Sequence, residues 1–262
     1  MNWKMSARGE ATDSLWKPCK DMSAETEHAV TTQETAERRW RYLEIAACIS
    51  VTVHIAAAIA MLFLLRNGLD TNEDFHSRCT YIVQHRALWT VGWLCWNLSA
   101  IAILNYFIAY AQAHTQPISM VLRLAIGLAI AGVANDLAAE SLEMGLIPQL
   151  AQDALTSLSG SNFLCADRIV VLLSGYVANS LYTLATLFSI ASTRADYQRW
   201  IVIAGALVVV AGAAISLTCL SGSVAGMFWS NALLVPCLVT WQAGVALDAC
   251  GRRRKKASVG PD

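Results

Sequence analysis

The chain has 262 residues, of which 56% are hydrophobic and 15% are charged, and its mean hydropathy is +0.45. An average soluble domain is about 45–50% apolar and about 25% charged, so this composition argues against a soluble globular protein. Nineteen basic and nineteen acidic residues cancel, so no excess of positive charge points to a nucleic-acid partner.

Six stretches of the chain have the length and apolar character of membrane spans. A helix needs about 20 mostly apolar residues to cross about 30 Å of hydrocarbon. The stretches lack the alternation of strands, and only helices or closed barrels satisfy backbone groups in lipid. The sequence therefore predicts an all-α polytopic membrane protein, a bundle of six transmembrane helices at 45–65, 87–111, from Pro117 to about Gly145, at about 164–192, 200–220 and 223–247.

Polar segments flank the predicted membrane domain. Residues 1–43 carry charged side chains throughout and lack the apolar core of a secretory signal peptide, so we expect a polar cytoplasmic tail. The last part of this tail, residues 32–41, is a candidate helix that continues into the first span. Residues 44–247 form the predicted six-helix domain, and residues 248–262 form a basic cytoplasmic tail.

Basic residues beside the spans predict the orientation in the membrane. With an even number of spans both termini lie on one side, and the side richer in Lys and Arg faces the cytoplasm. The side of the termini holds Arg38, Arg39, Arg41, Arg123, Arg194, Arg199, Arg252, Arg253, Arg254, Lys255 and Lys256, whereas the other side holds only Arg66, Arg78, Arg86 and Arg168. The sequence therefore predicts a multi-pass protein of the cell membrane with both termini cytoplasmic.

The loops on the other side offer three local hypotheses. The loop at 145–163 has an amphipathic pattern after Pro148, which indicates a short interfacial helix or, equally well, a loop packed on the helix ends. Cys79 and Cys165 form a candidate disulfide if that side is oxidising. Asp70, Asn72 and Asp74 resemble the start of a calcium loop. The sixth and twelfth positions lack the required Gly and Glu, which favours a solvated acidic loop without metal.

Acidic residues inside the third span are the main candidates for function. Asp136, Glu140 and Glu143 lie at i, i+4 and i+7, which is one stripe of a helix. Ionisable groups in a membrane span tend to face the bundle interior. Their predicted neighbours are on the fourth span, where Arg168, Asn179 and Tyr182 recur at helical spacing.

The antiparallel arrangement of the third and fourth spans predicts how these two stripes meet. If the outer ends are level, Arg168 forms an ion pair with Glu140 or Glu143, and Asp136 lies one to two turns deeper, near Ser174 or Tyr176. Asn179 and Tyr182 lie deeper still. Three acids then share one cation, so at least one of them needs water or a proton.

Other polar groups lie near mid-membrane, and none of them specifies a cofactor. His54 is at the centre of the first span, but the second histidine of a bis-histidine haem is missing from the predicted spans. The glycine-rich phosphate loops, the G-x-S-x-G nucleophile elbow and the H-E-x-x-H zinc pair are absent from the sequence. We therefore assign no catalytic residue, no metal and no cofactor.

Three functions remain open at this point. The leading hypothesis is a small transport, channel or sensor-like bundle whose outward-facing acidic cavity binds a cation or passes protons, built by Asp136, Glu140, Glu143 and Arg168, with Asn179 and Tyr182 deeper. The first alternative is a structural or accessory subunit that contacts other subunits of a membrane complex. The second is an intramembrane enzyme acting on a lipid or quinone. The lipid bilayer is the partner common to all three.

Overall fold

Every regular element is a helix in the part of the chain that the computed structural model describes, residues 18–114, 117–157 and 160–258. Within these ranges the α-helices are α1 (Pro18–Ala60), α2 (Phe75–Gln84), α3 (Arg86–His114), α4 (Met120–Gly145), α5 (Ile147–Ser157), α6 (Ser161–Val171), α7 (Asn179–Thr193), α8 (Arg199–Ser221) and α9 (Val224–Ser258). A π-helical segment, Met61–Leu65, extends α1, and another, Leu172–Ala178, joins α6 to α7.

The six predicted spans are confirmed. In the described ranges, six helical stretches are long and apolar enough to cross a membrane by length and composition: Thr35–Gly68, Arg86–His114, Met120–Thr156, Ser161–Asp196, Arg199–Ser221 and Val224–Lys255. We number them first to sixth. Helix α1 enters the first span and α9 leaves the sixth span at the same end of the bundle, which we call the termini end, and α2 and α5 lie at the other, the loop end.

The first and last helices extend well beyond the predicted spans. Helix α1 begins at Pro18, so the candidate helix at 32–41 is confirmed, whereas residues 1–17 lie outside the described residues. Helix α9 continues through most of the predicted basic tail to Ser258. The two helices pack together, and Arg253 Nη1 lies 3.2 Å from Glu44 Oε2.

Aromatic side chains fill the core at the termini end. Tyr106, Phe107 and Tyr110 of α3 lie against Trp241 of α9, with ring centroids 5.3–6.4 Å apart. Tyr197 stacks on Tyr110 at 6.0 Å. We call these five residues the aromatic seal. Four of them are among the buried core side chains, and large aromatic rings in contact pack this end of the bundle densely.

The loop end is covered by the two short helices, which pack on each other and on the ends of the spans. Cys79, Ile82, Trp89 and Ile147 are fully buried there, next to Phe163. The predicted helix after Pro148 is therefore present as α5, with the proline in its first turn, where a missing backbone N–H is tolerated.

Two loop-end hypotheses are resolved by this packing. Asp74 is the N-cap of α2, because its Oδ1 accepts hydrogen bonds from the backbone N–H of His76 and Ser77 at 3.0 and 3.2 Å. The predicted disulfide is wrong for this structure, since Cys79 and Cys165 are both free thiols. Cys79 faces the buried core under α2, whereas Cys165 is exposed on the outer surface of α6.

The π-helical segment in the fourth span changes the register between α6 and α7. A π-turn leaves one carbonyl out of the regular ladder, and such segments occur frequently at functional sites. Asn179 Nδ2 donates to the Ser174 carbonyl at 3.0 Å, and the same carbonyl accepts the backbone N–H of Asn179. The Asn179 side chain thus adds a second hydrogen bond within the π-helical segment.

The fifth span packs through small residues. Gly212 is buried, and a Cβ placed there would overlap Thr183 Oγ1 and lie 3.3 Å from Thr183 Cβ. The Thr183 hydroxyl is held by a hydrogen bond to the Asn179 carbonyl at 2.6 Å, so rotating it away breaks that bond.

We predict that Gly212→Ala lowers the free energy of unfolding by about 1–3 kcal/mol, the usual range for overpacking a core. Gly127→Ala is the matched control, because a Cβ at Gly127 meets nothing within 4 Å. Thermal unfolding of both variants in the same detergent measures the difference. Equal stability of the two variants would show that the fifth and fourth spans are not packed as described.

Candidate functional site

A cavity of about 170 Å³, which we call the chamber, lies at the centre of the bundle. All six spans contribute to its lining. The fifth contributes only apolar side chains, and the polar ones from the others are His54, Ser99, Asp136, Glu140, Ser174, Asn179, Tyr182, Thr183, Thr186 and Asn231. The centre of a membrane helix bundle is usually packed with apolar side chains. Because polar side chains are concentrated here instead, we take the chamber as the candidate site.

Two further cavities lie between the chamber and the loop end. A cavity of about 440 Å³, the vestibule, shares Trp93, Trp96, Ser174 and Asn231 with the chamber, together with several apolar residues. A third cavity of about 370 Å³, the mouth, shares Asp70, Arg78 and Asp167 with the vestibule. Mouth, vestibule and chamber thus follow one another from the loop end to mid-bundle.

The far side of the chamber adjoins the termini-end core. Ile103 and Leu238 line the chamber and belong to the same buried cluster as Tyr106, Tyr110 and Trp241 of the aromatic seal. The site therefore has cavities on its loop-end side and packed aromatic rings on its termini-end side. This arrangement is the one expected of a binding pocket that is reached from one side only.

Asp136 is the deepest acid, and its surroundings match the prediction. It is 9% exposed, and Ser174 Oγ donates to Asp136 Oδ1 at 2.7 Å. The neighbourhood predicted from the antiparallel stripes is thereby confirmed. The ring of Tyr182 lies beside Gly132 on the third span, where a Cβ would come within 2.6 Å of Tyr182 Cε1. Glycine thus lets the tyrosine approach the acidic stripe.

Glu140 and Glu143 are buried without a full set of partners. Their residues are 3% and 4% exposed, and the Oε2 atom of each has no hydrogen-bond partner among the described residues. Glu140 lines the chamber and Glu143 lines the vestibule. A carboxylate left bare in this setting costs several kcal/mol, so each group needs a proton or a cation from outside the protein.

The predicted ion pair between Arg168 and the third-span acids is wrong. Arg168 lines the mouth, and its Nη2 donates to the Leu220 carbonyl at 2.9 Å. Leu220 belongs to the last turn of α8, where backbone carbonyls lack partners within the helix and attract a cation. Arg168 is therefore occupied by a helix end, and the third-span acids meet no ion pair within the described chain.

Arg78 is a buried cation beside the cavities to which the sequence analysis gave no role at the site. Its guanidinium makes a bidentate pair with Asp167, with Nη2–Oδ1 at 2.5 Å and Nη1–Oδ2 at 3.1 Å, and its Nε donates to the Gly68 carbonyl at 2.6 Å. The Phe163 ring lies 5.1 Å away. The helical spacing of Phe75, Arg78, Cys79 and Ile82 was the signal, because it places Arg78 on the buried face of α2.

The remaining predicted residues fall at different depths along the path. Asn179 and Tyr182 both line the chamber. His54, which the prediction left without a role, also lines the chamber. Its Nδ1 lies 2.7 Å from the Ser50 carbonyl, which can only accept, so Nδ1 carries the proton and Nε2 is the free ring nitrogen.

Metal binding finds no support in this geometry, and known proteins offer no guide. Among the described residues, no group of three or more His, Cys, Asp or Glu side chains is placed to hold a metal ion. Comparison of the chain with protein-family models, with curated proteins and with solved structures finds no match. The site must therefore be interpreted from its own chemistry.

The buried pair between Arg78 and Asp167 should be a main support of the loop end. Removing one partner of a buried pair leaves an uncompensated charge and costs about 3–5 kcal/mol, so we expect a loss of this size in Asp167→Asn. The side chains of this pair are 7% and 13% exposed.

Thermal unfolding in detergent checks this expectation. Asp248→Asn is the matched control, because its partner Arg252 is 34% exposed and solvent screens the charge. A loss in Asp167→Asn no greater than in the control would refute the structural role of the pair.

Asp70 supplies a pH-dependent group at the mouth. Burial raises the pKa of this carboxyl and nearby Asp167 raises it further, while Arg78 opposes the shift. A pKa raised by folding gives stability that is present at low pH and is lost as the pH rises through the shifted value. Asp70→Asn should therefore gain stability relative to the unchanged protein as the pH rises from about 4, near the ordinary aspartate pKa, through the raised pKa of Asp70.

Melting temperatures of the two proteins across this pH range measure the effect. If the difference in melting temperature between Asp70→Asn and the unchanged protein stays constant with pH, or if the variant loses stability relative to it as the pH rises, the burial of Asp70 is contradicted.

Proposed function

We propose that the protein is a small membrane transporter that takes up protons from the loop end on the acidic stripe of its third span. The single observation that carries this proposal is the pair of buried carboxyl oxygens without partners, Glu140 Oε2 and Glu143 Oε2, each on a residue that lines one of two adjacent cavities. A proton is the smallest species that neutralises such a group.

The spacing of the acids suits stepwise proton transfer. Glu143 borders the vestibule, Glu140 and Asp136 border the chamber, and successive members stand one helical turn apart. The stripe covers about 10 Å along the helix axis at 1.5 Å per residue. Water in the cavities would connect the carboxyls, and the free Nε2 of His54 offers a proton acceptor on the opposite wall of the chamber.

Transport requires a second state in which the chamber reaches the termini end. The aromatic seal would have to open in that state, and the two π-helical segments are the places where the spans can change register with the least loss of hydrogen bonds. Met61 begins one segment and Ser174 lies in the other, and both line the chamber and the vestibule. Movement at these points would alter the cavities directly.

The orientation belongs to the same proposal. The excess of basic residues at the termini end favours a cytoplasmic position for that end. The mouth would then face the outside of the cell membrane, and protons would enter the chamber from there.

Proton flux into proteoliposomes tests this function. A potassium diffusion potential drives protons inward, and a trapped pH-sensitive dye reports their arrival. We expect Asp136→Asn and Glu140→Gln to reduce the flux to the level of protein-free vesicles, because each variant removes a protonatable oxygen from the chamber. Glu37→Gln removes an exposed carboxylate at the termini end and should leave the flux unchanged.

Two results would count against the proposal. One is a flux through the unchanged protein no greater than in protein-free vesicles. The other is full flux through Asp136→Asn, with insertion of the variant into the vesicles confirmed by quantitative blotting.

A further inference from the structure

We infer that the vestibule binds a lipophilic organic monocation, such as a protonated amine on an apolar body, and that this cation and a proton compete for Glu143. The inference rests on the proposed function, because it names the substrate that enters by the same path. It concerns amine binding at Glu143 in the vestibule, whereas the proton-flux test uses Asp136 and Glu140 of the chamber, so the two can be tested separately.

Charge is the first argument for a cation. Among the residues that the structure describes, the vestibule lining contains Asp70, Glu143 and Asp167 but only one basic residue, Arg78. Arg78 is committed to Asp167 through two hydrogen bonds and to a backbone carbonyl through a third. Glu143 therefore lines the vestibule with one buried carboxyl oxygen that has no hydrogen-bond partner and no ion pair among the described residues. A ligand with one positive charge and an N–H donor complements this group.

The walls of the vestibule argue for an organic cation over a metal ion. Apart from the charged groups, the lining is mostly aliphatic and aromatic, with Trp93, Trp96 and Phe228 among its side chains. Indole rings attract an organic ammonium group through their π faces. A metal ion would instead need several oxygen ligands in place of its water, and the described residues hold no such cluster.

The size of the vestibule supports the same class of ligand. Its volume of about 440 Å³ falls in the range typical of sites for small organic molecules, about 300–1,000 Å³. Asp70, Arg78 and Asp167 line both the vestibule and the mouth, Glu143 lines the vestibule alone, and the rest of the vestibule lining is mostly apolar, with Pro236 and Ile215 among it. A molecule with one charged end and one apolar end fits this division.

Competition with protons follows from the position of Glu143. Of the charged groups near it, Arg78 is paired with Asp167, and Asp70 is a further acid. Glu143 can thus hold a proton or the charge of the ligand, but holding both would leave a surplus positive charge in the cavity. Arrival of the amine releases the proton to water at the mouth, and its departure lets a proton return. The vestibule would thereby exchange organic cations for protons.

Isothermal titration calorimetry on the full chain in phosphatidylcholine nanodiscs tests the inference. The probes are 4-phenylbutylamine and its neutral counterpart 4-phenyl-1-butanol, with empty nanodiscs as the partitioning control. We expect saturable binding of the amine, weaker binding of the alcohol, and an amine affinity reduced on the order of tenfold or more in Glu143→Gln. Glu37→Gln should bind the amine as the unchanged protein does.

A measurement without any variant guards against misfolding of Glu143→Gln. The amine affinity of the unchanged protein should fall as the pH is lowered, because protons compete for Glu143, while the affinity for the alcohol stays constant. Equal affinity for amine and alcohol, or an amine affinity independent of both pH and Glu143→Gln, would overturn the inference.

The two proposals fail in different ways. Asp136→Asn should abolish proton flux yet keep amine binding, because Asp136 is not in the vestibule lining. Absent amine binding with flux that depends on Asp136 would refute only the substrate class. Amine binding with flux that is indifferent to Asp136 would refute only the proton-transport role.

Discussion

A carboxyl group inside a bundle of apolar helices must be neutralised, and this constraint organises the protein. Asp136, Glu140 and Glu143 stand on one stripe of the third span, all at least nine-tenths buried. Ser174 donates to Asp136, whereas Glu140 and Glu143 each retain an oxygen without a partner in the described structure. The chamber and the vestibule lie along this stripe, since Asp136 and Glu140 line the chamber and Glu143 lines the vestibule. A proton or cation that neutralises these acids would therefore come from one of the two cavities.

The fold and the acidic stripe were predictable because both depend on periodicity along a single helix. Long apolar runs predict the spans, and spacing of i, i+4 and i+7 predicts that the three acids share a face. The antiparallel order of the third and fourth spans further predicted the contact between Asp136 and Ser174. Each inference needed only residues that are near in sequence or in consecutive helices.

The cation partner and the shape of the cavity were not predictable in this way. Arg78 reaches Asp167 across 89 residues because α2 folds back over the loop end, and nothing in the local pattern of the fourth span reveals that packing. Arg168 is drawn to the end of α8, which depends on how closely the fourth and fifth spans approach. The π-helical turn at Leu172–Ala178 arises from tertiary packing and shifts the register on which simple helical spacing relies.

The central claim is that the third-span acids exchange protons with water on the loop side. Infrared difference spectroscopy of the reconstituted protein during a pH step tests this most directly, because a protonated carboxyl has its own C=O stretching band. The account predicts a carboxyl band that follows the external pH, shifts promptly in D₂O, and loses separate components in Asp136→Asn and Glu140→Gln. A spectrum with no pH-dependent carboxyl band, or one unaltered in both variants, would contradict it.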